Sequence, residues 1–204
     1  MALEIEMLTV GPVAENCFLV RREGSERVLV VDPGEEAERI LAKLEEFGGK
    51  PEAILITHCH FDHIGAVTPV AEATGAPVYC PEIEKPILSN IMAFVPWEGF
   101  GPFEDYEADE TVAGGETLEL AGLEIDVLFT PGHSPGAVCF YSADLGCVFT
   151  GDTLFHGGPG ATGRSYSDYD TIVKSIKERL FTLPGATVVH TGHGRDTLIT
   201  SERI

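Results

Sequence analysis

The stretch Thr57-His58-Cys59-His60-Phe61-Asp62-His63 constrains this chain more than any other. Directly after the apolar residues 53–56, it sets three imidazoles and a carboxylate side by side in the chain. A neutral imidazole binds a metal ion through one ring nitrogen while a neighbouring acceptor holds the other. The pattern H-x-H-x-D-H therefore carries enough donors to begin two metal sites. The competing interpretation is a polar strand-to-helix loop whose histidines are solvated or cap a helix. It leaves four closely spaced donors with nothing to share. Completing two sites requires ligands from elsewhere in the chain.

The 204 residues are enough for one domain with a substantial core, and residues 1–204 read as a single domain without a linker. A net charge of −20 opposes broad contact with nucleic acid or an anionic membrane. No run approaches the roughly 18 apolar residues of a membrane span. The first residues carry acids where a signal peptide needs basic ones, which predicts a cytoplasmic protein. The five cysteines are scattered and form no C-x-x-C, so neither a disulfide framework nor a thiolate zinc site is expected. Cys59, between two proposed ligands, should point away from them and pack.

Alternating or continuous apolar runs predict strands over residues 3–10, 16–22, 28–31, 53–56, 77–80, 117–120, 123–129, 137–141, 147–150 and 187–190. Helical spacing predicts helices over 35–47, 64–73, 82–92 and 169–181. Two sheets between outer helices suit this order better than a doubly wound parallel sheet. Residues 93–106, with three Phe, Trp97 and Tyr106 among Gly and Pro, read either as an irregular packed connection or as a lid over a substrate pocket.

Four of the seven histidines lie outside the first motif: His133, His156, His190 and His193. His133, Asp152 and His193 each follow a predicted strand and stand beside glycine, which permits the tight turns that aim a side chain. Sorted by chemistry, His58, His60 and His133 make a three-imidazole site. Asp62, His63 and His193 make a second, and Asp152 bridges the two. Each keeps an open position, as a catalytic centre requires. His190 falls inside a strand and reads as structural, while His156 is a weaker candidate for a contact with substrate.

The segments T-H-C-H-F-D-H-I-G, T-P-G-H-S-P-G, F-T-G-D-T-L-F and T-G-H-G, in this order, resemble the metallo-β-lactamase superfamily. The likeness is greatest to its glyoxalase II-like branch, which hydrolyses hydroxyacylglutathione thioesters. Asn16-Cys-Phe-Leu-Val and Val31-Asp-Pro-Gly look like that branch's opening strands. The resemblance implies an α+β protein with the αββα sandwich fold and a site at one edge of the two sheets. It also implies two divalent ions, zinc first, with iron or a mixed zinc and iron pair as alternatives.

Two departures concern the substrate. No counterpart of the C-terminal helical region that helps glyoxalase II hold glutathione is expected. Where the branch tends to place a basic residue in G-x-G-[KR], this chain has Gly158-Pro-Gly-Ala161, and its first basic residue is Arg164, followed by Tyr166. Arg164 and Tyr166 are candidate substrate contacts.

By this likeness, Asp62 orients a metal-bridging hydroxide that attacks a small-molecule thioester. The partner is that substrate alone, with no nucleic acid or membrane, in a monomer or homodimer. The rival readings are a persulfide dioxygenase-like enzyme with one iron on His58, His133 and Asp152, and a non-catalytic metal-binding protein.

Overall fold

In the computed structural model, which describes residues 3–203, two sheets lie face to face with helices outside both. The first sheet runs in sequence order: β1 (Leu3–Val10), β2 (Glu15–Arg22), β3 (Arg27–Val31), β4 (Lys50–Leu55), β5 (Val78–Pro81) and β6 (Glu110–Val112). β1 to β3 pair antiparallel, and β3 to β6 pair parallel. The parallel links are crossovers through α1 (Ala37–Phe47), α2 (Phe61–Ile64) with α3 (Val67–Thr74), and α4 (Lys85–Leu88) with its flanking 3₁₀ turns.

The second sheet begins with the antiparallel meander β7 (Thr117–Leu120), β8 (Leu123–Phe129), β9 (Val138–Ser142) and β10 (Cys147–Gly151). After the small hairpin β11 (Leu154–Phe155) and β12 (Gly158–Pro159), helix α5 (Tyr169–Ser175) continues as a π-helical turn, Ile176–Leu180. It carries the chain to β13 (Val188–Thr191), parallel to β10, before β14 (Thr197–Leu198) and α6 (Ile199–Glu202).

Period-two alternation builds three apolar layers from these strands. Val28 and Val30 of β3 face the layer shared with Ile40 and Leu44 of α1, whereas Leu29 and Val31 face the second sheet. In β9, Val138 and Phe140 meet the first sheet, while Cys139 and Tyr141 pack under Ile172, Ile176 and Leu180. Both central strands are thus buried on two faces, which is why they read as continuous apolar runs. The αββα sandwich expected from the resemblance is the observed fold.

Three expectations need correction. The helix expected over 82–92 is a 3₁₀ turn, one α-turn and a second 3₁₀ turn, because Pro86 lacks the amide a longer helix would use. The helix expected over 64–73 starts earlier and divides after Ile64, where Gly65 and Ala66 turn the chain into α3. The short elements β6, β11, β12, β14 and α6 were not expected at all. Residues 93–106 form an irregular packed connection. Val95, Phe100, Phe103 and Tyr106 lie against the first layer, and Trp97, Phe100 and Phe103 surround Phe61 at ring-centroid distances of 5.0–5.8 Å.

The exit of β3 touches α2 directly. A Cβ on Gly34 would run into the carbonyl oxygen of Asp62 and come within 2.5 Å of Glu15 Oε2. Gly34→Ala is expected to cost about 1–3 kcal/mol through this overpacking, measured as a fall in the urea midpoint. An unchanged midpoint would show that α2 moves aside freely.

Candidate metal centre

The parallel strand β4 delivers residues 56–60 in extended form, so alternate side chains take opposite sides. Cys59 points into the core, its Sγ 3.5 Å from Cys80 Sγ, as expected of a packing residue. His58 and His60 point the other way, and α2 then presents Asp62 and His63. His133 follows β8, Asp152 follows β10 and His193 follows β13. Gly151, at a φ of +48°, and Gly192 leave room that a Cβ would take from Thr57 and from His63, respectively. The four segments meet at one edge of the sandwich.

The structure brings the donors chosen from sequence together at this edge, and His63 also meets Glu15 and Asp32 in a third group. Potential ligand atoms of His58, His60, His133 and Asp152 converge in one group, and those of Asp62, His63 and His193 in another. His60 Nδ1 lies 3.0 Å from His58 Nε2 and 2.9 Å from His133 Nε2. Asp152 divides itself between the groups. Its Oδ2 is 3.4 Å from His133 Nε2, while its Oδ1 is 3.3 Å from His63 Nε2 and 3.6 Å from His193 Nε2. Asp62 Oδ2 stands 3.2 Å from His193 Nε2.

The outward nitrogens fix the tautomers of four of the five rings. Thr57 spends its only hydroxyl proton on Asp32 Oδ2, at 2.6 Å, so its oxygen must accept from His58 Nδ1, at 3.1 Å. His133 Nδ1 donates to the carbonyl of Ala161 at 2.7 Å, and His193 Nδ1 to that of Ala14 at 3.1 Å. His63 Nδ1 faces Asp32 Oδ2 at 3.0 Å, and His60 Nε2 faces the Tyr166 hydroxyl at 2.9 Å. In the neutral rings of His58, His63, His133 and His193 the inward nitrogen is then a bare lone pair, whereas the Tyr166 hydroxyl, able to donate or to accept, leaves His60 either tautomer. His63 Nε2 and Asp152 Oδ1 are fully buried with no hydrogen-bond partner. Lone pairs and carboxylates packed this closely need a cation between them, so the residues fit divalent metal ions.

Without a cation, protons take over part of that role. Burial, reinforced by neighbouring imidazoles, pushes His58 well below the ordinary histidine value and His60 down to about 3, and burial also lowers His133. Burial opposes charge on His63 and His193 too, but the surrounding carboxylates, Asp152 among them, raise both. Burial likewise works against ionised Asp152, and the imidazoles of His63, His133 and His193 more than offset it, holding it well below the carboxylate range.

Sequence reasoning missed the residues that hold the ligands. Asp32, at 2% exposure and a φ of +48°, accepts from the Thr57 amide and hydroxyl and from His63. An acid at a strand exit on the same edge as the ligand segments was the available signal. Asn16 Nδ2 donates to the carbonyls of Thr191 and Gly194, tying β2 to the His193 turn. Glu15 is fully buried beside His63 with neither oxygen partnered, and burial raises its pKa well above the usual range. Glu84, buried under the first group, had no sequence signal.

Among the weaker candidates, Arg164 and Tyr166 do reach the site. Arg164 Nη1 donates to the Tyr166 hydroxyl at 3.1 Å, and both line a cavity of about 200 Å³ with His60, Phe61, Ile87 and Phe94. His156 does not: its ring meets Arg195, Thr197 and Glu202, because the β11–β12 hairpin turns it towards α6. His190 pairs with Asp196 at 2.9 Å and packs against Phe18 and Phe149, a structural role.

The sequence profile of the metallo-beta-lactamase superfamily matches residues 10–193, and this chain belongs to that superfamily. A probable metallo-hydrolase of Bacillus subtilis (strain 168) is 38% identical, over 96% of this chain and 92% of that protein. The hydroxyacylglutathione hydrolase GloC of Haemophilus influenzae (strain ATCC 51907 / DSM 11121 / KW20 / Rd) is 32% identical, over 98% and 95%. The crystal structure of TTHA1623 in a di-iron-bound form superposes with a TM-score of 0.84 at 38% identity, covering 96% of each chain. Fold, cluster and relatives together define a metallo-hydrolase whose centre has the makings of a dinuclear site. Among the described residues, no helix is long and apolar enough to cross a membrane.

The shifted histidines set the pH dependence of the metal-free protein. Below the ordinary histidine pKa of about 6.5, the unfolded chain takes up protons that folded His58, His60 and His133 refuse. Stability is therefore lost as pH falls from there towards about 3, the pKa of His60. His63 and His193 have raised values, so their contribution is full below the unfolded pKa and fades as pH rises through the folded ones. The chelated protein should be most stable near pH 6.5, its urea midpoint falling on either side. A midpoint climbing steadily from pH 5 to 8 would contradict this.

Proposed function

We propose that the protein hydrolyses thioesters of the hydroxyacyl-thiol kind with two divalent cations held by His58, His60 and His133 and by Asp62, His63 and His193, Asp152 serving both. The observation that carries this reading is the division of Asp152, one oxygen towards each group. A shared carboxylate suits ions held about 3.5–4 Å apart. When bound, such a pair lowers the pKa of a water towards about 7 and polarises an acyl carbonyl.

The chain supplies the rest. Burial works against charge on Asp62, but the hydrogen bond from His193 and the nearby imidazoles bring it below the usual carboxylate value. It is then an acceptor placed to orient the attacking water and hold its proton. A departing thiolate is weakly basic and needs no strong acid. The cavity against His60 gives the acyl or thiol group a wall of Phe61, Ile87, Phe94 and Pro135, with the Arg164 guanidinium available to a carboxylate. A net charge of −20 disfavours a polyanionic carrier such as coenzyme A. Imidazole-rich sets of this kind suit zinc and iron alike.

The one-iron oxidation needs only His58, His133 and Asp152, and would leave Asp62, His63 and His193 as a second ligand group with no role. A cavity opening against His60 argues for turnover rather than metal storage.

The test compares a hydroxyacylglutathione, the same acyl group on a small neutral thiol, and a β-lactam, with metal content measured alongside. Metal-dependent thioester hydrolysis is expected, falling at least about 10³-fold in Asp152→Ala and His133→Ala while circular dichroism stays that of the folded chain. β-Lactam cleavage with inert thioesters, or oxygen uptake with one iron per chain, would overturn the reading.

A further inference from the structure

We propose that Glu84 is a positioning residue for the first ion, its carboxylate setting the separation of the His58–His60 loop and the His133 loop. The inference rests on the ligand reading above, and concerns a residue outside both ligand groups.

The two loops belong to different sheets: residues 56–60 follow β4 and residues 130–137 follow β8. At their base the Val138 amide donates to the Thr57 carbonyl at 2.9 Å. At their tips the tie is Glu84. Its Oε2 accepts from the Cys59 amide, which lies between the two imidazoles of the first loop, at 2.5 Å. Its Oε1 accepts from the Gly136 amide at 2.9 Å and from the hydroxyl of Ser134, the neighbour of His133. One oxygen therefore serves each loop, and the rings that must converge, those of His60 and His133, sit with centroids 4.6 Å apart.

Three features show that the tie is specific. Glu84 is 1% exposed, whereas Ile83 beside it is 57% exposed, the reverse of what their polarities favour. All three partners of its carboxyl are donors, and only an ionised carboxylate presents acceptors alone. A Cβ on Gly136 would come within 2.6 Å of Glu84 Cγ, so the chain has left no slack around it. The second group stands on other supports, Asp32 under His63 and the Ala14 carbonyl under His193. Loss of Glu84 should therefore loosen one ion and spare the other.

The experiment titrates chelated protein with Co(II), following ligand-field absorption and counting ions per chain, with thermal unfolding in parallel. In Glu84→Gln, the amide nitrogen must face a donor and one tie is lost. One binding step should weaken roughly 10–100-fold with altered absorption, and the other should stay within about twofold. Unchanged affinities, or equal weakening of both steps alongside a general loss of stability, would overturn the proposal. If Glu84→Gln fails to fold, Ser134→Ala removes a single donor and should weaken the same step by less; no effect there overturns it equally. His60→Ala separates this from the parent reading. If that variant still binds two ions like the wild type, the ligand assignment itself fails. If it loses one while Glu84→Gln loses none, only the role of Glu84 fails.

Discussion

One buried carboxylate reaches into both groups of candidate ligands. Asp32 leaves β3 in the left-handed conformation and accepts from the Thr57 amide, the Thr57 hydroxyl and the His63 ring. Through Thr57 it determines which nitrogen of His58 is protonated, and directly it does the same for His63. Three donors offset the cost of burying the charge. Orientation of a ring in the first group and a ring in the second is thus a property of the strand β3, not of the histidine-rich loop.

The same principle separates what could be read in the sequence from what could not. His58, His60, Asp62 and His63 are legible because they are neighbours in the chain, and His133, Asp152 and His193 because each stands at a strand exit beside glycine. Apolar alternation gave most strands for the same local reason. Glu84 and Glu15 are invisible locally: their burial follows from contacts tens of residues away, and single acids in polar surroundings ordinarily lie on the surface. The stretch 82–92 misled because its apolar residues are spaced as in a helix, while Pro86, with no amide to give to a preceding turn, is tolerated only at the start of the single turn α4. Tyr166 reads from the sequence as a candidate substrate contact, and what the structure shows is its hydroxyl on the outer nitrogen of His60.

Residues 93–106 are drawn into the site by Phe61. That ring sits between His60 and Asp62 in the chain, and Trp97, Phe100 and Phe103 close around it. Phe94, half exposed, forms part of the cavity wall next to His60. The segment therefore braces the run His58–His63 and shapes the space beside it through the same few aromatic contacts.

The ligand segments come from both sheets. His58, His60, Asp62 and His63 follow a strand of the first, and His133, Asp152 and His193 follow strands of the second. Neither sheet alone holds a complete group. An ion bound there would be a removable rivet through the sandwich, in a chain whose five cysteines are all buried and free of disulfides. Its grip adds to folding stability by the ordinary linkage between ligand concentration and affinity. Cellular metal supply would thereby set how firmly the two halves are fastened, as well as whether the site can work.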